Sequence, residues 1–233
     1  MHQEAKRQLV HRTIKVNVDF FERRFQEGYG IRFPESHVIR FNLHVLKHRL
    51  GITGGRLLDF GCALGTHARY FADNGFDVVA CDSSPTAIAK AKALHPDLAD
   101  HFFVNDAVPD FAALAGQFDV IFCHQVLAYF TNPALRALVD RFHAMTRPGG
   151  VFFATQYPTT NGISGYVTGT DGEMSEITLH GRLSGCEYVN FKTIDEMVED
   201  FRPYRKLNTG FTAMQLDDEY GSNDQLIYIG LKD

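Results

Sequence analysis

One stretch of twelve residues constrains this chain more than any other: Arg56-Leu57-Leu58-Asp59-Phe60-Gly61-Cys62-Ala63-Leu64-Gly65-Thr66-His67. An apolar run reaches an acidic residue, enters a glycine-rich turn and then opens a helix. A second run, Phe76-Asp77-Val78-Val79-Ala80-Cys81, ends on Asp82. A helix start at such a turn presents free backbone N–H groups and the positive end of the dipole. Missing side chains let a ligand lie against the backbone. An acidic residue about 20 positions further on can hold a ribose diol. The pattern therefore implies a strand–turn–helix that binds a nucleoside-type ligand.

The flanking sequence alternates in the same way. Strands are expected near 56–60, 77–81, 102–104, 118–123 and 150–155, with two more near 205–213 and 225–231. Thr66, Ser84-Pro85 and Asn132-Pro133 supply helix-opening chemistry between them. Such alternation implies a parallel sheet with helices on both faces. Ahead of it, Val10, Ile14, Val18, Phe21 and Phe25 recur at helical spacing, and a second helix is expected from Pro34 to Gly51. Residues 159–185 are rich in Gly, Ser and Thr and read as a mobile insertion, with short strands around Ile177–Leu179 and Tyr188–Phe191. One domain with additions follows: a helical cap over 1–54, a core over 55–157, an insertion or lid over 158–192, and a closing helix and strand pair over 193–233.

Composition excludes several classes. Of 233 residues, 45% are hydrophobic and 22% charged, an ordinary globular balance. No apolar run is long enough to span a bilayer, and the first residues are not followed by a signal-peptide core. Cys62, Cys81, Cys123 and Cys186 lack metal-type spacing, so reduced thiols, a cytoplasmic location and no metal site are expected. Residues 1–56 carry 11 Lys/Arg against 5 Asp/Glu, and the remainder 12 against 23. That asymmetry reads either as a basic cap docking on an acidic core or as a cap attracting an anionic substrate. The acidic core argues against broad nucleic-acid binding.

Four local patterns occur in order: the Leu58–Gly65 turn, Asp82 closing the second strand, Asn105-Asp106-Ala107 after the third, and Phe118-Asp119-Val120-Ile121-Phe122-Cys123-His124 followed after one helix by Arg147-Pro148-Gly149-Gly150. Over about residues 55–157 the chain thus resembles the class I S-adenosylmethionine (SAM)-dependent methyltransferases. The resemblance implies a Rossmann-like α/β fold, with a seven-stranded, mostly parallel sheet whose last strand is antiparallel. It also implies roles at matching positions. Gly61, Ala63 and Gly65 would border the methionine part of the cofactor. Asp59 would organise the loop and the cofactor's amino group, and Asp82, with Ser83 beside it, would bind both ribose hydroxyls. Asp106 and the Ala107 N–H would take the adenine edge, while His124 would face the reactive end. Ala63 departs from the family, which usually has glycine there.

A dinucleotide fits the turn poorly. Its fingerprint needs glycine at the first, third and sixth positions. From Gly61 the third is Ala63 and the sixth Thr66. Asp59 would also repel a pyrophosphate. His124 is the expected base for deprotonating an acceptor, since its ordinary pKa suits proton transfer near neutrality. Tyr129, Tyr157, His37 and Arg40 are the candidate acceptor contacts. No Asn/Asp-Pro-Pro-aromatic signature follows the fourth strand, which argues against methylation of DNA bases. The segment Pro34–Phe41 resembles a helix found in enzymes that modify bacterial sugars or secondary metabolites. A small acceptor, methylated on oxygen or nitrogen and favouring an anionic group, is the resulting expectation. A SAM-binding protein without turnover and a nicotinamide-dependent oxidoreductase are the alternatives.

Overall fold

Short runs of apolar residues from Gly55 onward become strands because each is bracketed by a turn or a helix cap. The computed structural model describes residues 2–105, 118–181, 184–215 and 221–233, with side chains from residue 13 onward. In chain order the elements are α1 (His2–Gln26), α2 (Ser36–Arg40), β1 (Gly55–Phe60), α3 (Thr66–Asp73), β2 (Phe76–Asp82), α4 (Pro85–Leu94), β3 (Phe102–Val104), β4 (Phe118–Cys123), α5 (Asn132–Met145) and β5 (Thr146–Gln156). Then follow β6 (Val167–Asp171), β7 (Met174–Leu179), β8 (Gly185–Val189), α6 (Ile194–Asp200), β9 (Arg205–Thr212) and β10 (Gln225–Leu231).

The main sheet has seven strands in the order β3-β2-β1-β4-β5-β10-β9. β3 through β5 pair in parallel, and β10 runs antiparallel to both neighbours. Side chains alternate between faces, so adjacent apolar residues bury on opposite sides. Leu58, Ile121 and Phe152 pack with Phe142, Phe201 and Tyr204 beneath α5 and α6. Leu57, Phe122 and Phe153 pack with Phe41, Phe71 and Ile88 beneath α2, α3 and α4. Each such side chain contributes roughly 1.5–3 kcal/mol on full burial. The sheet is therefore covered on both faces, as strands of this apolar density require.

Helix ends follow the sequence at α4 and α5 and depart from it at α3 and at the second helix. Ser84 caps α4, its Oγ accepting from the Ala87 N–H at 2.9 Å with Pro85 in the first turn. At α3, by contrast, Gly65 is the cap residue, and Thr66 donates its hydroxyl to the Ile31 carbonyl at 2.6 Å. Thr66 thus fastens the segment between α1 and α2 to the core. α5 begins after Thr131, and Asn132 Oδ1 is taken up by Asn190 Nδ2 and Lys192 Nζ. The second helix begins at Ser36, not Pro34, and widens into a π-helix over Phe41–Arg49. Phe41, Asn42 and Leu46 are all buried there; Leu46 lies four residues beyond Asn42 and five beyond Phe41, the spacing of a widened turn.

The insertion is a built structure. β6, β7 and β8 form an antiparallel sheet, and Ile177, Leu179 and Val189 bury against Ala128 and Tyr157. α1 lies along the free edge of β8. The Asn17 amide accepts from the Tyr188 N–H at 2.7 Å and donates to the Tyr188 carbonyl at 2.9 Å. Cap and insertion thus meet as one cover. α1 is also pinned to the core. Glu22 accepts from the Ser84 and Thr86 hydroxyls and the Thr86 N–H at the α4 N-terminus, where a carboxylate is favoured by the helix dipole. Among the described residues no helix is long and apolar enough to cross a membrane.

Candidate active site

A cavity of about 280 Å³ opens at the carboxyl ends of β1, β2 and β4, where the strand order reverses direction between β1 and β4. Open α/β sheets bind ligands at this crevice. Its floor is the turn after β1. Gly61, Ala63 and Gly65 all have positive φ, at +80°, +50° and +74°. A Cβ on Gly61 would come within 2.7 Å of Val126, so glycine lets the backbone pass under that residue. Gly65 does not line the cavity. A Cβ there would lie 2.6 Å from the Phe102 ring, so its glycine serves the packing of α3 against β3 rather than a ligand.

Two carboxylates flank this floor. Asp82, at the end of β2, accepts from the Ala63 N–H and the Ser84 N–H, each at 2.9 Å. A carboxylate has about four acceptor sites, so both oxygens keep a lone pair for a ligand hydroxyl. Ser83 lines the cavity beside it. Asp59 is 1% exposed, and its Oδ2 has no hydrogen-bond partner. Burial, with the charge of Asp82 second, pushes its carboxyl up to about 7 despite a backbone hydrogen bond from Ala68. An orphaned buried carboxylate oxygen of this kind suits a cationic ligand group. Asn105 lines the cavity after β3; Asp106 and Ala107 lie outside the described residues.

At the end of β4 the cavity meets a cluster that sequence reading found only in part. His124 Nε2 is 2.8 Å from His37 Nε2 and 3.1 Å from Glu35 Oε2. His67, in the first turn of α3, brings its Nε2 to 3.8 Å from the same carboxylate oxygen. Burial lowers the His37 and His124 rings from their usual range, and burial followed by the charge of His37 takes His67 to about 4. Burial raises Glu35 to about 7. The rings are thus held neutral at pH 7, the form that accepts protons or metal ions. Glu35 was legible only as part of the Pro34–Phe41 segment, and His67 only as a helix-turn residue.

The opposite wall comes from the cover. Ile14, Val18, Phe21 and Phe25 of α1 face Tyr29, Tyr129 and Tyr157. Phe21 and Tyr129 pack edge to face with centroids 4.9 Å apart, and the two tyrosine hydroxyls stand 3.3 Å apart. Behind them Glu187 is buried, raised to about 7 by desolvation against the opposing effects of Arg24 and the Tyr129 hydroxyl. Neither Arg40, which is exposed, nor any other Lys or Arg among the described residues lines this cavity. A second depression, about 730 Å³, is lined by Gly51, Thr53, Arg147, Arg205 and Lys232. It sits at the opposite end of β1 from the glycine turn.

Residues 58–152 match the family described as a methyltransferase domain. The ubiquinone biosynthesis O-methyltransferase of Pseudomonas aeruginosa (strain UCBPP-PA14) is 30% identical over 125 residues, 52% of this chain and 53% of that protein. A malonyl-[acyl-carrier protein] O-methyltransferase of Enterobacter lignolyticus is 37% identical over 102 residues, 43% of this chain and 38% of that one. The chain spans about half the length, or less, of these curated relatives. The solved 1,6-didemethyltoxoflavin-N1-methyltransferase of Burkholderia thailandensis, with bound 1,6-didemethyltoxoflavin and S-adenosylhomocysteine, shares the fold at a TM-score of 0.65. Identity is 19%, over 96% of this chain and 90% of that one. Sheet order, glycine turn and the acidic end of β2 define a Rossmann-like nucleoside-binding domain. Residues 58–152 are a class I SAM-dependent methyltransferase domain.

Proposed function

We propose that this chain transfers a methyl group from SAM to an oxygen or nitrogen of a small, neutral aromatic molecule held between core and cover. One observation carries the reading: a single cavity joins the glycine turn and Asp82 to a wall of Phe21, Phe25, Tyr29, Tyr129 and Tyr157, with Asp59 buried beside the turn. Asp82 holds the ribose hydroxyls through its spare lone pairs, with Ser83 beside it. Asp59 faces the amino group, and Gly61 and Ala63 give backbone contact to the methionine portion. Gly65 supports that turn from behind. Asp106 and Ala107 are the proposed adenine contacts.

When bound, SAM supplies a methyl group already activated on a sulfonium. The protein's own work is then orientation and exclusion of water. The aromatic wall orients a planar acceptor edge-on or by stacking, and Tyr129 and Tyr157 offer hydroxyls to its polar atoms. The cluster around His124 removes the acceptor's proton. His37 acts through His124 and not by touching the acceptor. An acidic lining without Lys or Arg disfavours a phosphate- or carboxylate-bearing acceptor, so the basic cap is read as docking charge. Arg40 has no part in the site.

The test is incubation of the protein with SAM and a panel of phenols, N-heteroaromatics and sugar phosphates, followed by mass spectrometry of the panel. Methylation of phenols or heteroaromatics is expected. Methylation of sugar phosphates alone would overturn the acceptor class, and S-adenosylhomocysteine binding without any transfer would support a binding protein instead.

A further inference from the structure

Donor atoms from three elements converge beside the cavity. They are Glu35 Oε2 and His37 Nε2 at the start of α2, His124 Nε2 at the end of β4, and His67 Nε2 at the start of α3. The first three lie within 4.8 Å of one another, with His124 Nε2 at 2.8 Å from His37 and 3.1 Å from Glu35. Protons alone do not satisfy this group. A ring nitrogen offers one N–H or one lone pair, never both, so His124 Nε2 serves either His37 or Glu35. Glu35 Oε2 and His67 Nε2 are buried with no hydrogen-bond partner, although His67 is only 8% exposed. Leaving such atoms unpaired is costly; one cation would meet all four lone pairs.

We propose that Glu35, His37 and His124, with His67 as fourth donor, bind one divalent first-row transition ion. Imidazoles with a single carboxylate form a borderline donor set, suited to Zn²⁺, Co²⁺, Ni²⁺ or Fe²⁺ and not to Mg²⁺ or Ca²⁺. On a tetrahedral ion with bonds of about 2.0–2.1 Å, donors stand roughly 3.4 Å apart. The observed separations of 2.8, 3.1 and 3.8 Å bracket that value. Such an ion ties the start of the second helix to the ends of β4 and α3. Glu35, His67 and His124 also line the cavity; an acceptor oxygen that displaces His67, the donor standing 3.8 Å from Glu35, would reach the ion and lose its proton more easily there, and with the ion bound this replaces proton removal by the His124 ring itself. That last role rests on the methyl-transfer reading; the binding of the ion does not.

The experiment is to strip the protein with chelator and titrate it with Co²⁺, read by visible d–d absorption, and with Zn²⁺ and Mg²⁺, read by calorimetry. S-adenosylhomocysteine binding is measured on the same samples. One Co²⁺ per chain with a tetrahedral spectrum, and no Mg²⁺ binding, is expected. His37→Ala and the near-isosteric Glu35→Gln should each weaken Zn²⁺ binding at least about 100-fold, the upper end of the loss caused by removing a mere supporting partner. S-adenosylhomocysteine affinity should hold in both variants. Absence of Co²⁺ and Zn²⁺ binding in protein that binds S-adenosylhomocysteine would overturn the metal site alone. So would Zn²⁺ affinity that both substitutions leave unchanged. Intact Zn²⁺ binding without S-adenosylhomocysteine binding would instead overturn the cofactor reading.

Discussion

The two walls of the cavity are made in different ways. On the core side the ligand surface is built on backbone: the turn after β1, with Gly61 and Ala63 at positive φ, and the end of β2, whose Asp82 carboxylate braces it. On the cover side it is side chain, drawn from α1, from the segment before α2 and from the residues flanking β4 and β5. Backbone surfaces follow from local sequence, because glycine spacing and strand ends dictate them. Side-chain surfaces depend on which distant elements meet. The core side is therefore the part that a whole family can share, and the cover side is where this chain sets its own acceptor.

Gly65→Val should do the most damage, and it tests the claim that the core side is a packing problem. Valine would force a β-branched residue into φ +74° with its Cβ 2.6 Å from Phe102. Left-handed strain and overpacking together cost about 3–5 kcal/mol. The melting temperature should fall sharply and SAM binding should vanish with it. Loss of SAM binding at an unchanged melting temperature would move Gly65 back to the ligand surface.

Next come two substitutions that should separate the walls. Asp82→Ala would remove the two charge-assisted hydrogen bonds proposed to the ribose, each worth about 1.5–3 kcal/mol. It also frees the Ala63 N–H. SAM affinity should drop by more than about 100-fold. His124→Ala should instead lower kcat by about 10²–10⁴-fold with little change in SAM affinity. Calorimetry and steady-state rates on both variants check this. Equal losses of affinity in the two would mean that the walls are one site, with no division between binding and chemistry.

How much of this was legible in the sequence follows the same division. The strands of the main sheet, the sheet type, the glycine turn, the place of Asp82 at the end of β2 and the Ser84 cap were readable because each is set within a few residues. Thr66 was misread as a cap because its hydroxyl goes to Ile31, 35 residues away in sequence. The insertion was read as loose because its core is completed by Ala128 and Tyr157 from elsewhere. Asn17, Glu35, His67 and Glu187 carried no local signal; their partners are brought to them by the fold.

Asn17→Ala sharpens the account of the cover. It removes one buried amide that satisfies both backbone groups of Tyr188. The loss should be about 2–3 kcal/mol, since two partners are left unpaired. Hydrogen exchange should quicken in α1 and β8 and stay unchanged in β1 and β4. Uniform acceleration would show that cover and core unfold as one unit.

Asp59 gives a pH test of the core side. Its carboxyl titrates near 7 in the free protein, raised mainly by burial. A cationic amino group beside it would favour the ionised form and pull its pKa down. SAM binding should therefore release a proton below pH 7, and affinity should weaken as pH falls through 7, by at most tenfold per unit. In the free protein the sign is reversed. The raised pKa stabilises the fold at low pH, and that contribution is lost as pH rises through about 7. Calorimetry in buffers of differing ionisation heat measures the released proton, and its absence would remove Asp59 from the amino-group role.

The smallest effect is the most pointed. Ala63 occupies φ +50°, where an L-residue with a Cβ is strained by roughly 1–2 kcal/mol and glycine is not. Its N–H still donates to Asp82 at 2.9 Å, so the turn keeps its shape and carries the strain. Against this, glycine costs about 0.5–1 kcal/mol in chain entropy. Ala63→Gly should therefore change stability by less than about 1 kcal/mol, towards greater stability, and leave SAM affinity equal or tighter. Denaturant unfolding and calorimetry on one variant decide it. A clear loss of stability together with weaker SAM binding would mean that the Ala63 methyl group is a working part of the core wall, which would then owe something to side chains after all.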